Sequence, residues 1–197
     1  MIVVLGRPRA AASPRTRESD GVRPAGLAAG IACAAAAAGG SVELVGSIGD
    51  DPAGDAVVVA LGRAGVGHAA LLRDPGGSSV DDARMPRLDR ADVELGLRYL
   101  SHCGVLVLAE ALPGDAEDAA LDAAAFHRAQ VIAVVPPGAA VSTRLAGAGT
   151  VLGRPADEAS EAFVRTVARY AVELDSGAEP AAAFSTAVQA AGWAPSA

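Results

Sequence analysis

The stretch LVGSIGDDPAGDAVVVALGRAGV, Leu44 to Val66, decides how the rest of the chain is read. An apolar run ends in Gly49-Asp50-Asp51-Pro52-Ala53-Gly54, and a second apolar pattern with helical spacing follows. Asp51 has the chemistry of an N-cap, and Pro52 suits the first helical position, where its missing N–H costs nothing. The helix should run to about Ala64 and stop at Gly65. Strand, acidic turn and helix in this order predict one βα unit.

Working outward, the same alternation recurs. Ile2–Leu5 is a short β-branched run and predicts a strand. Residues 6–23, rich in Arg, Pro and Ser, predict a loop, and Pro24 is placed to open a helix through the alanines to Gly39-Gly40. Val42–Val45 and His68–Leu72 predict strands, and residues 74–87 a polar loop. Arg90–Leu100 predicts an amphipathic helix, Val105–Ala109 a strand ending at Glu110, and Asp115–Ala129 a helix. Then come the strand Val131–Val135, a short helix Val141–Ala146, a short strand Thr150–Leu152, and helices over Asp157–Leu174 and Pro180–Ala191. Strands alternating with helices imply βαβ units, a mostly parallel sheet and helices on both faces. The series is continuous, with no linker and no internal repeat, so one domain is expected.

Bulk composition excludes several classes. The chain has 197 residues, enough for a core of its own. Its formal charge of −7 argues against a general nucleic-acid binder. The N-terminal run lacks the pattern of a signal peptide, and the alanine-rich run from Ala25 to Gly40 is too short to span a membrane. Cys33 and Cys103 match no metal spacing and suit small buried residues of a reducing cytoplasm. His68, His102 and His127 are scattered, so no metal site is expected. Gly76-Gly77-Ser78-Ser79 lacks the Gly-Lys-Ser/Thr ending of a phosphate loop. Asp115, Glu117 and Asp118 fit the negative charge favoured at a helix start. Arg7, Arg9, Arg15, Arg17 and Arg23, offset by Glu18 and Asp20, form either a solvated loop or an anion-binding one.

The segment PAGLAAGIACAAAAAGGSVELVGSIGDDPAGDAVVVALGRAGV, Pro24 to Val66, resembles the N-terminal signature of the ribokinase-like (PfkB) carbohydrate kinases. VLVLAEALP, Val105 to Pro113, is similar to that family's strand ending in Glu before a helix, and AQVIAVVPPGAA is similar to its next strand and turn. The resemblance implies a three-layer α/β fold over residues 1–197, with the family's small β-lid reduced or absent, because only about eighteen residues separate the first strand from Pro24. It implies a phosphotransferase that uses ATP and magnesium on a sugar or nucleoside hydroxyl. It would place substrate contacts at Gly26, Gly30, Asp50 and Glu110.

The chemical residues of that signature have changed. The family's substrate Asp falls near Ala11, and its signature Asn falls at Gly30. Gly-Ala-Gly-Asp does not occur; Glu158-Ala159-Ser160-Glu161 takes its place, with Glu158 and Ser160 on the nucleotide side and Glu161 where the catalytic base would stand. Glutamate is longer by one methylene, and a displacement of about 1 Å can cost roughly a hundredfold. The same residues also fit a helix cap begun by Asp157 or Ser160. TVLGRPADEASEAF runs from a strand straight into the final helices, so the nucleotide-binding section before about residue 156 is expected to be deleted.

Three functions follow as expectations. A degenerate, inactive kinase homologue would bind a small ligand or a partner chain, need no cofactor and associate as a homodimer. A minimal sugar or nucleoside kinase would use Glu161, ATP and magnesium. A regulator would pair with a full-length kinase.

Overall fold

A computed structural model describes residues 1–12, 22–155 and 161–192. Strand β1 (Ile2–Leu5) lies at the centre of a seven-stranded sheet. On one side it pairs with β4 (Val42–Gly49), and on the other with β7 (Val105–Leu108), both parallel. Beyond β7 come β8 (Gln130–Val135) and β9 (Gly149–Gly153), also parallel. The outer edge of β4 is shared: β5 (Val66–Gly67) pairs with its first residues and β6 (Leu71–Asp74) with its last four. That double pairing explains why β4 has eight residues where four were expected, and why the strand expected over His68–Leu72 is two short strands.

Period-two alternation along β1 divides the core. Ile2 and Val4 join one apolar cluster, and Val3 and Leu5 the other, all fully buried. The first cluster carries α1 (Gly26–Ala37), α2 (Pro52–Arg63), α6 (Glu161–Asp175) and α7 (Pro180–Ala191). The second carries α3 (Arg90–Arg98), α4 (Gly114–His127) and Leu145 of α5 (Thr143–Ala148). Helices therefore cover both faces, the arrangement a parallel sheet needs because neither face can be left wet. Among the described residues no helix is long and apolar enough to cross a membrane.

Two sequence expectations are corrected near the N-terminus. Residues 9–12 and 22–25 form an antiparallel pair, β2 (Arg9–Ala12) and β3 (Val22–Ala25), with Ala10 opposite Pro24. Pro24 therefore sits in a strand and does not open a helix; as an edge residue it can do without a ladder donor. Helix α1 starts at Gly26, whose φ of +81° turns the chain out of β3. The small two-stranded sheet is a reduced lid.

The opening turn behaves as its chemistry dictates. Asp51 caps α2, accepting from the Gly54 amide at 2.7 Å. It also accepts from the Ser79 amide at 2.9 Å and the Ser78 hydroxyl at 3.3 Å, which fastens the Gly76–Ser79 loop to the turn. This is the work of the glycine-serine run: Ser78 and Ser79 are buried clasps. Partial burial pushes the Asp51 carboxyl up, but the donors from Ser79, Gly54 and Ser78 outweigh it and hold the group below its ordinary value. Asp50 is exposed beside it, and its amide donates to the Asp74 carbonyl at 2.9 Å.

Asp51→Ala is expected to destabilise the fold by about 1–2 kcal/mol at pH 7, with Asp50→Ala within about 0.5 kcal/mol of the parent. Because the folded-state pKa of Asp51 is depressed, its contribution is present above the unfolded value and is lost as pH falls through the folded one. Urea unfolding of parent and Asp51→Ala should therefore differ at pH 7 and converge as pH falls below the ordinary carboxylate range.

Candidate functional site

The sheet order β5-β4-β1-β7-β8-β9 reverses direction at β1. The chain first builds outward through β4, then returns to add β7 on the other side. In open α/β sheets such a reversal leaves a crevice beyond the carboxyl ends of the central strands, because successive helices depart to opposite faces. Here the ends of β1 and β7 deliver Gly6-Arg7 and Ala109-Glu110 to that crevice. Gly6 is required there: a Cβ on it would stand 2.9 Å from the Ala28 Cβ, and one on neighbouring Gly46 would stand 1.9 Å from the Gly6 carbonyl oxygen.

Arg7 and Glu110 close across the crevice. Glu110 Oε1 accepts from the Arg7 amide at 2.8 Å and from Nε at 2.9 Å. Glu110 Oε2 accepts from Nε at 2.8 Å and from Nη2 at 2.5 Å. Arg7 Nη1 donates to the Pro86 carbonyl at 3.0 Å, tying in the loop before α3. The bond to Glu110 holds the Arg7 guanidinium above its ordinary value despite partial burial. A forked, half-buried pair of this kind fixes both side chains far better than an exposed pair does.

The pair lines one cavity, and a second opens beside that one. One of about 200 Å³ is lined by Arg7, Arg9, Glu110 and Arg154, with Met85, Val134 and Pro136 among its apolar walls. The other, about 580 Å³, lies under the two-stranded lid and is lined by Arg9, Arg23, Gly30, Glu161 and mostly small apolar residues including Ala11. Arg9, Gly26 and Leu27 line both, so the two form one cleft beside the start of α1. The stem of Arg9 runs 3.5 Å from where a Cβ on Gly26 would stand, and its guanidinium pairs with exposed Asp82.

The structure brings four of the sequence candidates to this cleft. Gly26 lines both parts, Glu110 the smaller, and Gly30 and Glu161 the larger. Asp50 lines neither cavity. Glu158 and Ser160 lie outside the described residues. Glu161 opens α6 with its side chain 81% exposed, 3.7 Å from Arg165 one turn on. Gly30 faces α6: a Cβ there would meet Val164 at 3.3 Å.

Ala11 and Gly30, the positions where the resemblance puts a substrate Asp and Asn, both line the larger cavity. Among the described residues no Asn, Gln, Ser, Thr or His lines either cavity, and the chain contains no Asn at all. Among the described residues no group of His, Cys, Asp and Glu could hold a metal ion. His68 Nδ1 lies 3.1 Å from the Val66 carbonyl. Arg154 is the site residue that sequence reasoning missed. Its signal was position, directly after the strand run Thr150–Leu152, where a parallel sheet presents its functional side chains.

No family model and no curated protein sequence matches the chain. Solved structures do. The PfkB protein from Polaromonas sp. JS666 superposes with a TM-score of 0.67 at 13% identity, over 96% of this chain and 94% of that one. Arabidopsis thaliana ribokinase complexed with ribose and ATP gives 0.64 at 16% identity, over 96% and 90%. Aminoimidazole riboside kinase from Salmonella enterica gives 0.66 at 14%, over 96% and 90%. At these identities the likeness is one of fold, and the chain has the ribokinase-like α/β fold.

Glu110→Ala strands the Arg7 guanidinium in a half-buried place and is expected to cost about 1–3 kcal/mol. Glu94→Ala, which breaks the exposed Arg90–Glu94 pair, should change stability by less than about 0.5 kcal/mol. Chemical denaturation of the two variants side by side checks the contrast.

Proposed function

We propose that the protein is a degenerate carbohydrate-kinase homologue that binds a small ligand in the cleft and transfers no phosphate. The observation that carries this reading is the pairing of Ala11 with Gly30 in the larger cavity, at the two places where the resemblance calls for side chains that grip a sugar. A polyol held without such donors and acceptors loses its water and gains nothing in exchange. The exposure of Glu161 and its contact with Arg165 give it a surface role that a general base does not need. The short connection from Gly153 to Glu161 leaves seven residues between the last strand and α6, which supports the deletion of a nucleotide-binding section.

Self-association belongs to the same reading. Leu95, Tyr99 and Phe126 are exposed on α3 and α4, and Phe126 is 83% exposed. Exposed large apolar groups are what a second copy would cover.

Incubation with ATP, magnesium and a panel of sugars and nucleosides is expected to yield no phosphorylated product, and Glu161→Gln should leave that result unchanged. ATP-dependent phosphorylation abolished by Glu161→Gln would establish the minimal kinase instead. Light scattering is expected to give twice the chain mass; a stable heteromer with a full-length kinase would favour the regulatory role.

A further inference from the structure

Sequence periodicity builds a groove on the face of the sheet away from the lid. Along α4, Ala119, Asp122, Ala123 and Phe126 recur at intervals of three and four residues and form one stripe. Along α3, Arg90, Glu94, Leu97 and Arg98 do the same. Together with Leu100, Ser101 and His127, the two stripes line a groove of about 490 Å³. Ala119 and Ala123 stop at Cβ, so α4 leaves a hollow that longer side chains would fill. Leu97 and Ala119 are buried in the second core cluster. Ala10 and Val22 of the lid, and helices α6 and α7, pack with the first cluster, so the groove lies across the sheet from them.

Phe126 supplies a projection beside that hollow. Its ring is exposed and meets the His127 ring edge-on, with centroids 5.1 Å apart. A projection and a hollow side by side on one surface are complementary to a second copy of themselves. A two-fold axis running along the groove sets α3 of one copy opposite α4 of the other, at the same level. The charges then match as well. To the groove α3 brings Arg90, Arg98 and Glu94, an excess of one positive charge, and α4 brings Asp122. The two walls differ in sign, so a partner of one sign would be repelled by one wall, whereas a rotated copy meets each wall with its opposite.

We propose that two copies of the chain associate through this groove, with Phe126 of each seated in the groove of the other and Arg98 facing the other copy's Asp122. This rests on the reading of the protein as self-associating and names the surface that does it. Both Phe126 rings leave water, and a ring buried at the centre of an interface carries more of the binding than contacts at its rim. Asp122 also accepts from Arg144 of its own chain, and its two oxygens leave room for a second guanidinium.

The test is sedimentation equilibrium over a concentration series. The parent is expected to form a dimer. Phe126→Asp and Phe126→Ala should each raise the dissociation constant by about thirtyfold or more. Because Phe126 is exposed, both variants should keep the parent's circular dichroism. Val59→Asp, at an exposed position of α2, should leave association unchanged. Arg98→Asp and Asp122→Arg should each weaken it by about tenfold. An equimolar mixture of those two variants should dimerise more tightly than either alone, because every contact in the mixed pair again joins opposite charges. A dimer indifferent to both Phe126 variants overturns the inference and leaves self-association standing through another surface. A mixture no tighter than its components also overturns it. A parent that stays monomeric at every concentration overturns the inference and the reading of self-association together.

Discussion

Residues 2–5 supply two separate cores at once. Ile2 and Val4 point into the cluster under α1 and α6, while Val3 and Leu5 point into the cluster under α3 and α4. A strand buried on both faces can only sit in the interior of a sheet, so β1 needs parallel neighbours on either side. Sequence order then does the rest. β4 takes one side first, the other side waits for β7, and the crevice opens where the two directions part. The position of the cleft is thus a consequence of which strand is most apolar and earliest.

The crevice is closed by a contact between its two walls. An ion pair, Arg7 with Glu110, bridges the ends of the two central strands and is tied further to Pro86. It spans the crevice, orders the start of the lid, and removes one carboxylate from the cavity's charge. The large cavity lies beside the smaller one, with Ala11 and Gly30 in its lining. What such a cleft binds is set by its side chains and not by the fold.

Most of the architecture was legible because it rests on local signals. The Asp51-Pro52 helix start needs only neighbouring residues, and the structure has it as expected. Helix α7, Pro180–Ala191, has the expected bounds, because proline at the start and glycine after the end mark it. The misreadings share a cause. Residues 9–12 and 22–25 lack any period of their own and become strands only by pairing with each other. The strand expected at His68–Leu72 divides because β4 has room on its edge for two partners, which no local pattern records.

By itself the sequence determined the alternation of strands and helices, with a strand at Ile2–Leu5 and a capped helix at Asp51-Pro52. These are properties of each residue and its near neighbours, and hydrophobic period and side-chain chemistry suffice to read them. Only the tertiary structure decided that Arg7, 103 positions from Glu110, would grip it. Only the tertiary structure put Arg154 and Arg9 in the lining of one cavity, and showed Asp50 apart from it while Asp51 holds a distant serine loop. Contacts of that kind depend on how a sheet orders its strands, and strand order is settled by long-range packing that leaves no mark on any one segment.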